Sequence, residues 1–273
     1  MAKLERPDGV EIHYDVAGDD GPAVVLATYW TWNPGVYAEL LADLASDHRV
    51  HTYHLRGTGN STRRGPYDKE TDCADLEAVL EQAGGDAVLF GTADCSNRAV
   101  RLGARRPDLV ATVISFGVAP ISRGQFAGRE AMLASDEVVE AFVATFERSY
   151  RTGLRALIEA TNPQMDEQEL RERVDLQAEF CPQEAAVSRL RGWTEDDPHV
   201  DARELGEQLW ILGSRDVAGP WLPPQDELER MTRENLPEAR SHKIDTGAVT
   251  DPADVAAWMR QVSAPLRERA ARP

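Results

Sequence analysis

Strand-like runs that are apolar from end to end constrain this chain more than any other feature. Ala23-Val24-Val25-Leu26-Ala27 and Ala87-Val88-Leu89-Phe90-Gly91 are two of them. A strand carries such a run when both of its faces are buried. Helical patterns at Val36–Leu44, at Glu70–Gln82 and from the end of the second run to Arg106 lie between and after them. Further strands are predicted at Arg49–Leu55 and Val110–Gly117. Strict alternation of strand and helix implies right-handed crossovers and a parallel sheet with helices on both faces. Ahead of this series, Val10–Val16 alternates with a period of two and predicts a half-exposed antiparallel strand.

The alternation stops after Pro120. From Ser122 to Asp201 only helical patterns occur, at Glu137–Tyr150, Gly153–Ala160, Asp166–Phe180 and Glu184–Trp193. Strand character returns at Gln208–Gly213 and Ser241–Asp245, and a last helix near Pro252 carries Val255, Trp258, Met259 and Val262. The expected organisation is an α/β core of residues 1–121 and 202–273 with a helical cap, residues 122–201, after the sixth strand. Such a cap would cover the C-terminal strand edge, where open α/β sheets bind ligands.

Bulk properties narrow the function classes. A net charge of -17 argues against a nucleic-acid partner, because binding phosphates needs clustered Lys and Arg. No stretch has the roughly 18 apolar residues of a membrane helix, so no membrane partner is expected. The first residues, Met1 to Pro7, lack the apolar core of a signal peptide. Cys73, Cys95 and Cys181 are widely spaced and show no C-x-x-C pattern, which suggests a reducing, cytoplasmic setting. No dinucleotide fingerprint, P-loop or metal-ligand spacing appears, so neither a cofactor nor a metal is expected. A small-molecule ligand is the expected partner, and a homodimer is compatible with the sequence.

One segment carries chemistry. Val88-Leu89-Phe90-Gly91-Thr92-Ala93-Asp94-Cys95-Ser96-Asn97-Arg98-Ala99 resembles the nucleophile elbow of α/β hydrolases, where an apolar strand runs into G-x-S-x-G and then a helix. Arg105-Arg106-Pro107-Asp108 follows at the separation the family uses to end that helix. His54-Leu55-Arg56-Gly57-Thr58-Gly59-Asn60-Ser61 is similar to the family's D-x-R-G-x-G-x-S turn, with His54 in place of the acid. Thr28-Tyr29 stands where many members have the His-Gly of the oxyanion loop, and Gly213-Ser214-Arg215-Asp216 is similar to the G-x-x-D turn of the catalytic acid. The resemblance implies an α/β-hydrolase fold, with a mostly parallel eight-stranded sheet flanked by helices and a cap after the sixth strand. It places Ala93 in the serine seat and Cys95 in the second glycine seat. It places Asp216 at the acid and Ala248, in the loop Asp245–Pro252, in the histidine seat.

Alanine has neither a lone pair nor a proton to give. Acyl transfer in this fold needs a nucleophile, a base within hydrogen-bond reach and donors aimed at the oxyanion. Loss of triad members costs several orders of magnitude in rate. Three functions stay open for such a chain. One is a non-hydrolytic lyase, isomerase or cyclase acting on a small aromatic or polyketide-like molecule, with Asp94, His54 and Asp216 as acid/base candidates. Another is a ligand-binding pseudoenzyme. The third is a hydrolase with its nucleophile moved to Cys95 or Ser96. Asp94 has a plainer alternative as a carboxylate at a helix start, His54 as a satisfied buried histidine, and Cys95 as a small packed side chain. His242 is expected at the surface. Tyr29, Trp30 and Trp32 are bulky for an oxyanion loop and predict either a stacking wall for a flat ligand or a plugged cavity. With Thr28, Ala93, Cys95 and Ala248 they form the expected substrate-binding set.

Overall fold

The computed structural model describes residues 2–27, 29–31, 38–92, 94–122, 125, 135–161, 165–194, 196–214, 225–244, 256–261 and 263–264. The strands are β1 (Ala2–Glu5), β2 (Glu11–Ala17), β3 (Ala23–Ala27), β4 (Arg49–Tyr53), β5 (Ala87–Thr92), β6 (Val110–Phe116), β7 (Leu209–Ser214) and β8 (Arg240–Ile244). They form one eight-stranded sheet in the order β1-β2-β4-β3-β5-β6-β7-β8. The pairs β1–β2 and β2–β4 are antiparallel and all the others are parallel. β3 is buried at every residue, as its unbroken apolar run requires. β1, with the sequence Ala-Lys-Leu-Glu, has no such pattern and is held at the sheet edge by its ladder to β2.

Helices α1 (Ala38–Leu44), α2 (Lys69–Ala83) and α3 (Asp94–Arg105) connect the first parallel strands. α2 begins with Asp68 accepting from the Thr71 amide and ends at Gly84 in the left-handed conformation. The first satisfies an orphan donor of the first turn, and the second lets the chain turn off the helix without a Cβ clash. Between β6 and β7 the described residues hold α4 (Asp136–Arg148), α5 (Tyr150–Thr161), α6 (Glu167–Phe180), α7 (Gln183–Thr194) and α8 (His199–Leu205), and no strand. Helix α9 (Gln225–Asn235) joins β7 to β8, and residues 256–261 are helical. No described helix is long and apolar enough to cross a membrane.

Each sheet face has its own core. One contains Leu76 and Leu80 of α2, Val100 and Leu102 of α3, and Val143, Phe146, Leu154 and Val174 from the helices between β6 and β7. The other contains Leu40 and Leu44 of α1 with Trp258 and Met259. His242 is not the surface residue expected from sequence. It is half-buried and stacks on Trp258, with ring centroids 5.4 Å apart. Trp258 of the last helical segment packs against β8 at this residue.

A chain of buried ion pairs joins these layers. Asp72 of α2 is 1% exposed. It accepts from Arg189 of α7 at both carboxylate oxygens, 2.7 and 2.8 Å, and from Arg98 of α3 at 3.3 Å. Arg189 also donates to the Arg56 carbonyl at 2.7 Å, and Arg56 forms a fork on Asp75 at 3.0 and 3.1 Å. Burial alone would raise the Asp72 carboxyl, but the Arg189 and Arg98 guanidiniums beside it outweigh that and hold it below the usual carboxylate value. Removing one partner strands charge inside the protein, whereas replacing both with apolar groups does not. Asp72→Ala is therefore expected to cost about 3–5 kcal/mol in urea unfolding. Asp72→Leu combined with Arg189→Met should cost less than the single substitution. Equal urea midpoints for Asp72→Ala and the parent chain would refute this account of the pair.

Candidate active site

β5 ends at Thr92 and α3 begins at Asp94, so residue 93 alone separates strand from helix. Such an abrupt change of direction brings the helix start back against the strand. A Cβ on Gly91 would lie 2.8 Å from the Ser96 Cα and 2.9 Å from the Ser96 nitrogen. Only glycine fits there, which is the role of the first glycine in a nucleophile elbow. This turn between β5 and α3 is where the sequence reading put the elbow. Ala93 itself lies outside the described residues, as do Thr28, Trp32, Asp216 and Ala248. The side chain of Asp94 does too, although its backbone opens α3.

The strands that lead to these positions end level with one another. Ala27 pairs with Gly91, Thr92 with Phe116, Phe116 with Leu212 and Ser214 with Ile244. All run parallel, so β3, β5, β7 and β8 deliver the chain to one edge of the sheet. α4, α6 and α7 meet the turns at that edge. Gln177 of α6 donates to the Trp30 carbonyl at 3.0 Å, the Gly59 amide donates to the Phe180 carbonyl at 2.7 Å, and Ser188 of α7 donates to the Tyr67 carbonyl at 3.1 Å.

Trp30 follows β3 and is 2% exposed. Its ring meets Phe146 of α4 edge-on, with centroids 5.9 Å apart and planes at 85°. Tyr29 is partly buried against the same cluster. Of the two roles considered for this run, the packed one describes Trp30: its ring fills space between the β3 exit and the covering helices. Phe146, Gln177 and Phe180 complete this region. The helical patterns carried no signal for where these side chains would point.

His54 follows β4. Its Nδ1 accepts from the Asn60 amide at 3.0 Å, which puts the ring proton on Nε2. The ring tilts against His13 at 4.7 Å and meets Phe180 edge-on at 5.3 Å. Gly59 has a φ of +50°, and a Cβ there would stand 2.4 Å from His54 Nδ1. The turn therefore closes on the imidazole and leaves only Nε2 to face a ligand. Burial, reinforced by the neighbouring His13 and opposed by Asp15, lowers the His54 pKa to about 4. His51 on the same strand is also lowered to about 4, by burial and by Arg49.

Cys95 and Ser96 are both 0% exposed. The Cys95 thiol donates to the Thr92 carbonyl at 2.7 Å, and the Ser96 hydroxyl has no hydrogen-bond partner. Both side chains are packed inside the turn between β5 and α3. Among the described residues no cluster of three or more His, Cys, Asp or Glu is arranged to hold a metal ion.

Buried His51 and partly buried His54 set an acid limb. Their folded-state values lie below the ordinary histidine value of 6.5. Protonation therefore favours the unfolded chain. The contribution is fully present above pH 6.5 and is lost as the pH falls toward 4. Urea midpoints measured across that window should decline for the parent chain and decline less for His54→Gln. An identical slope in the two proteins would show that His54 is not held neutral.

No protein-family model and no curated protein matches the chain. Solved structures do match it over nearly their whole length. A bromoperoxidase from Bacillus anthracis superposes with a TM-score of 0.76 at 19% identity, over 98% of this chain and 99% of its own. The hydrolase olei00960 from Oleispira antarctica gives 0.78 at 14% identity, over 92% and 94%. The enol-lactonase from Burkholderia xenovorans LB400 gives 0.69 at 21% identity, over 95% and 98%. At these identities the likeness is one of architecture, and it agrees with the mostly parallel eight-stranded sheet flanked by helices. The chain has the α/β-hydrolase fold.

Proposed function

We propose that this protein is a non-hydrolytic enzyme of the α/β-hydrolase fold, a lyase, isomerase or cyclase type acting on a small, flat, weakly polar molecule by proton transfer. It forms no acyl-enzyme and uses no cofactor. The observation that carries this reading is the one-residue step between β5 and α3 at position 93, supported by the close approach of Ser96 to Gly91. Ester or amide hydrolysis through that seat lacks its nucleophile. Burial of Cys95 and Ser96 argues against a relocated one. Asp94 and Asp216 are the carboxylates the sequence offers for moving a proton, and His54 adds a neutral Nε2 donor. Tyr29 and the aromatic packing around Trp30 favour an apolar ligand over a sugar or phosphate substrate. Three buried thiols without a disulfide support a reducing, cytoplasmic setting.

A second reading, a pseudoenzyme that binds such a molecule without changing it, gains support from His54 and Trp30. One is tied through Nδ1 and the other is packed into the core. Two measurements separate these functions. Release of p-nitrophenol from short acyl esters should not exceed the buffer rate. Turnover abolished by a serine-directed phosphonate would overturn the proposal. In heavy water, aryl ketones and β-diketones that bind should exchange acidic C–H protons faster with the parent chain than with Asp94→Asn or Asp216→Asn. Binding without any exchange would favour the pseudoenzyme.

A further inference from the structure

Away from the elbow, α2, α3 and α7 meet at a cleft of about 30 Å³. Four cationic side chains line it: Lys69, Arg98, Arg101 and Arg189. Asp72 and Asp196 are the carboxylates of the same wall. Asp201 lies behind them, its carboxylate 3.6 Å from the Arg101 Nε. Even with Asp201 counted, positive charge is in excess here, within a chain whose net charge is -17. That surplus is mostly shielded from solvent, since Arg98, Arg101 and Arg189 are 7%, 5% and 5% exposed.

Two details mark the cleft as an anion site. The first is Arg189. Its Nε and Nη2 are committed to Asp72 and the Arg56 carbonyl, but Nη1 is buried and has no hydrogen-bond partner. Buried donors on charged groups are almost always paired, because leaving one unpaired forfeits its hydration with no return. The second is Gly192 on α7. A Cβ placed there would find nothing within 4 Å, so no neighbour requires glycine. Glycine is disfavoured relative to alanine in a helix interior. Here its effect is to leave the cleft mouth open beside Arg189. The entrance is flanked by Lys69, whose side chain is 41% exposed and lies 3.6 Å from Asp196.

We propose that this cleft binds a small phosphate-type oxyanion, with one anion oxygen accepting from Arg189 Nη1 and Lys69 supplying charge at the mouth. The planar guanidinium fork suits such an oxyanion, and a compact ammonium adds a point charge. Because the walls come from α2, α3 and α7, occupation ties the helices between β6 and β7 more firmly to the α2–α3 layer. The inner volume admits only part of an oxyanion, so its remaining oxygens stay at the open mouth, and the ligand is a free ion or the phosphate of a molecule that otherwise lies outside.

Isothermal titration with inorganic phosphate at pH 7, against chloride at matched ionic strength, tests the site. The parent chain should show saturable binding. Lys69→Gln, which keeps the Arg189–Asp72 and Arg101–Asp196 pairs, should weaken binding roughly threefold to tenfold. Gly192→Leu fills the open space and should abolish it. Methyl phosphate as titrant separates the sources: binding as tight as that of phosphate assigns the site to a phosphate ester, and binding of phosphate alone assigns it to the free ion. No saturable heat with either titrant, or the same affinity in Lys69→Gln as in the parent chain, would overturn the proposal.

Discussion

The pairing of Asp72 with Arg189 holds the molecule's layers in register. The two residues are 117 positions apart, on helices that belong to different parts of the chain. Their bond is short, bidentate and buried, so neither can shift without exposing the other. Net stabilisation from such a pair is modest, because desolvating two charges offsets most of the attraction. Its effect is geometric. Hydrophobic contacts between α7 and the layer below would tolerate sliding, but two parallel hydrogen bonds do not. The third guanidinium bond, to the Arg56 carbonyl, extends the same alignment to the turn after β4. That turn carries His54, and its Gly59 meets the end of α6.

Much of the architecture could be read from the sequence because burial on two faces leaves a strong one-dimensional trace. Ala23–Ala27 and Ala87–Gly91 announce themselves as interior strands, and the break after Pro120 announces a change of structure. β1 left no trace. Its residues are exposed or half-buried and its stability comes from backbone pairing with β2, which no side-chain pattern encodes. His242 was misplaced for a related reason: the Trp258 ring that covers it comes from a helix later in the chain. α8 begins at His199 and runs across residue 201, where the helical insertion was expected to end.

The candidate site divides in the same way. Gly91 was legible because the turn from β5 into α3 is a local feature, set by a handful of residues. Trp30, as part of a bulky run after a buried strand, was visible as an anomaly, but which of its two meanings held depended on Phe146 and Gln177 from distant helices. His54 stood out by type and position. Its tautomer and its lowered pKa follow from Asn60, His13 and Phe180, and only the folded arrangement brings these together. The basic cleft had no signature at all, since its walls come from three segments with ordinary helical composition.

The contacts between the covering helices and the sheet edge have one property in common. Gln177 reaches the carbonyl of Trp30, Ser188 that of Tyr67, and Arg189 that of Arg56, while the Gly59 amide reaches the carbonyl of Phe180. In each case the acceptor is a main-chain atom, which every amino acid supplies alike. Mutations in the accepting turns can therefore accumulate without loosening the attachment. A protein fastened in this way can vary the side chains of the turns at the sheet edge while the helices above them stay in place.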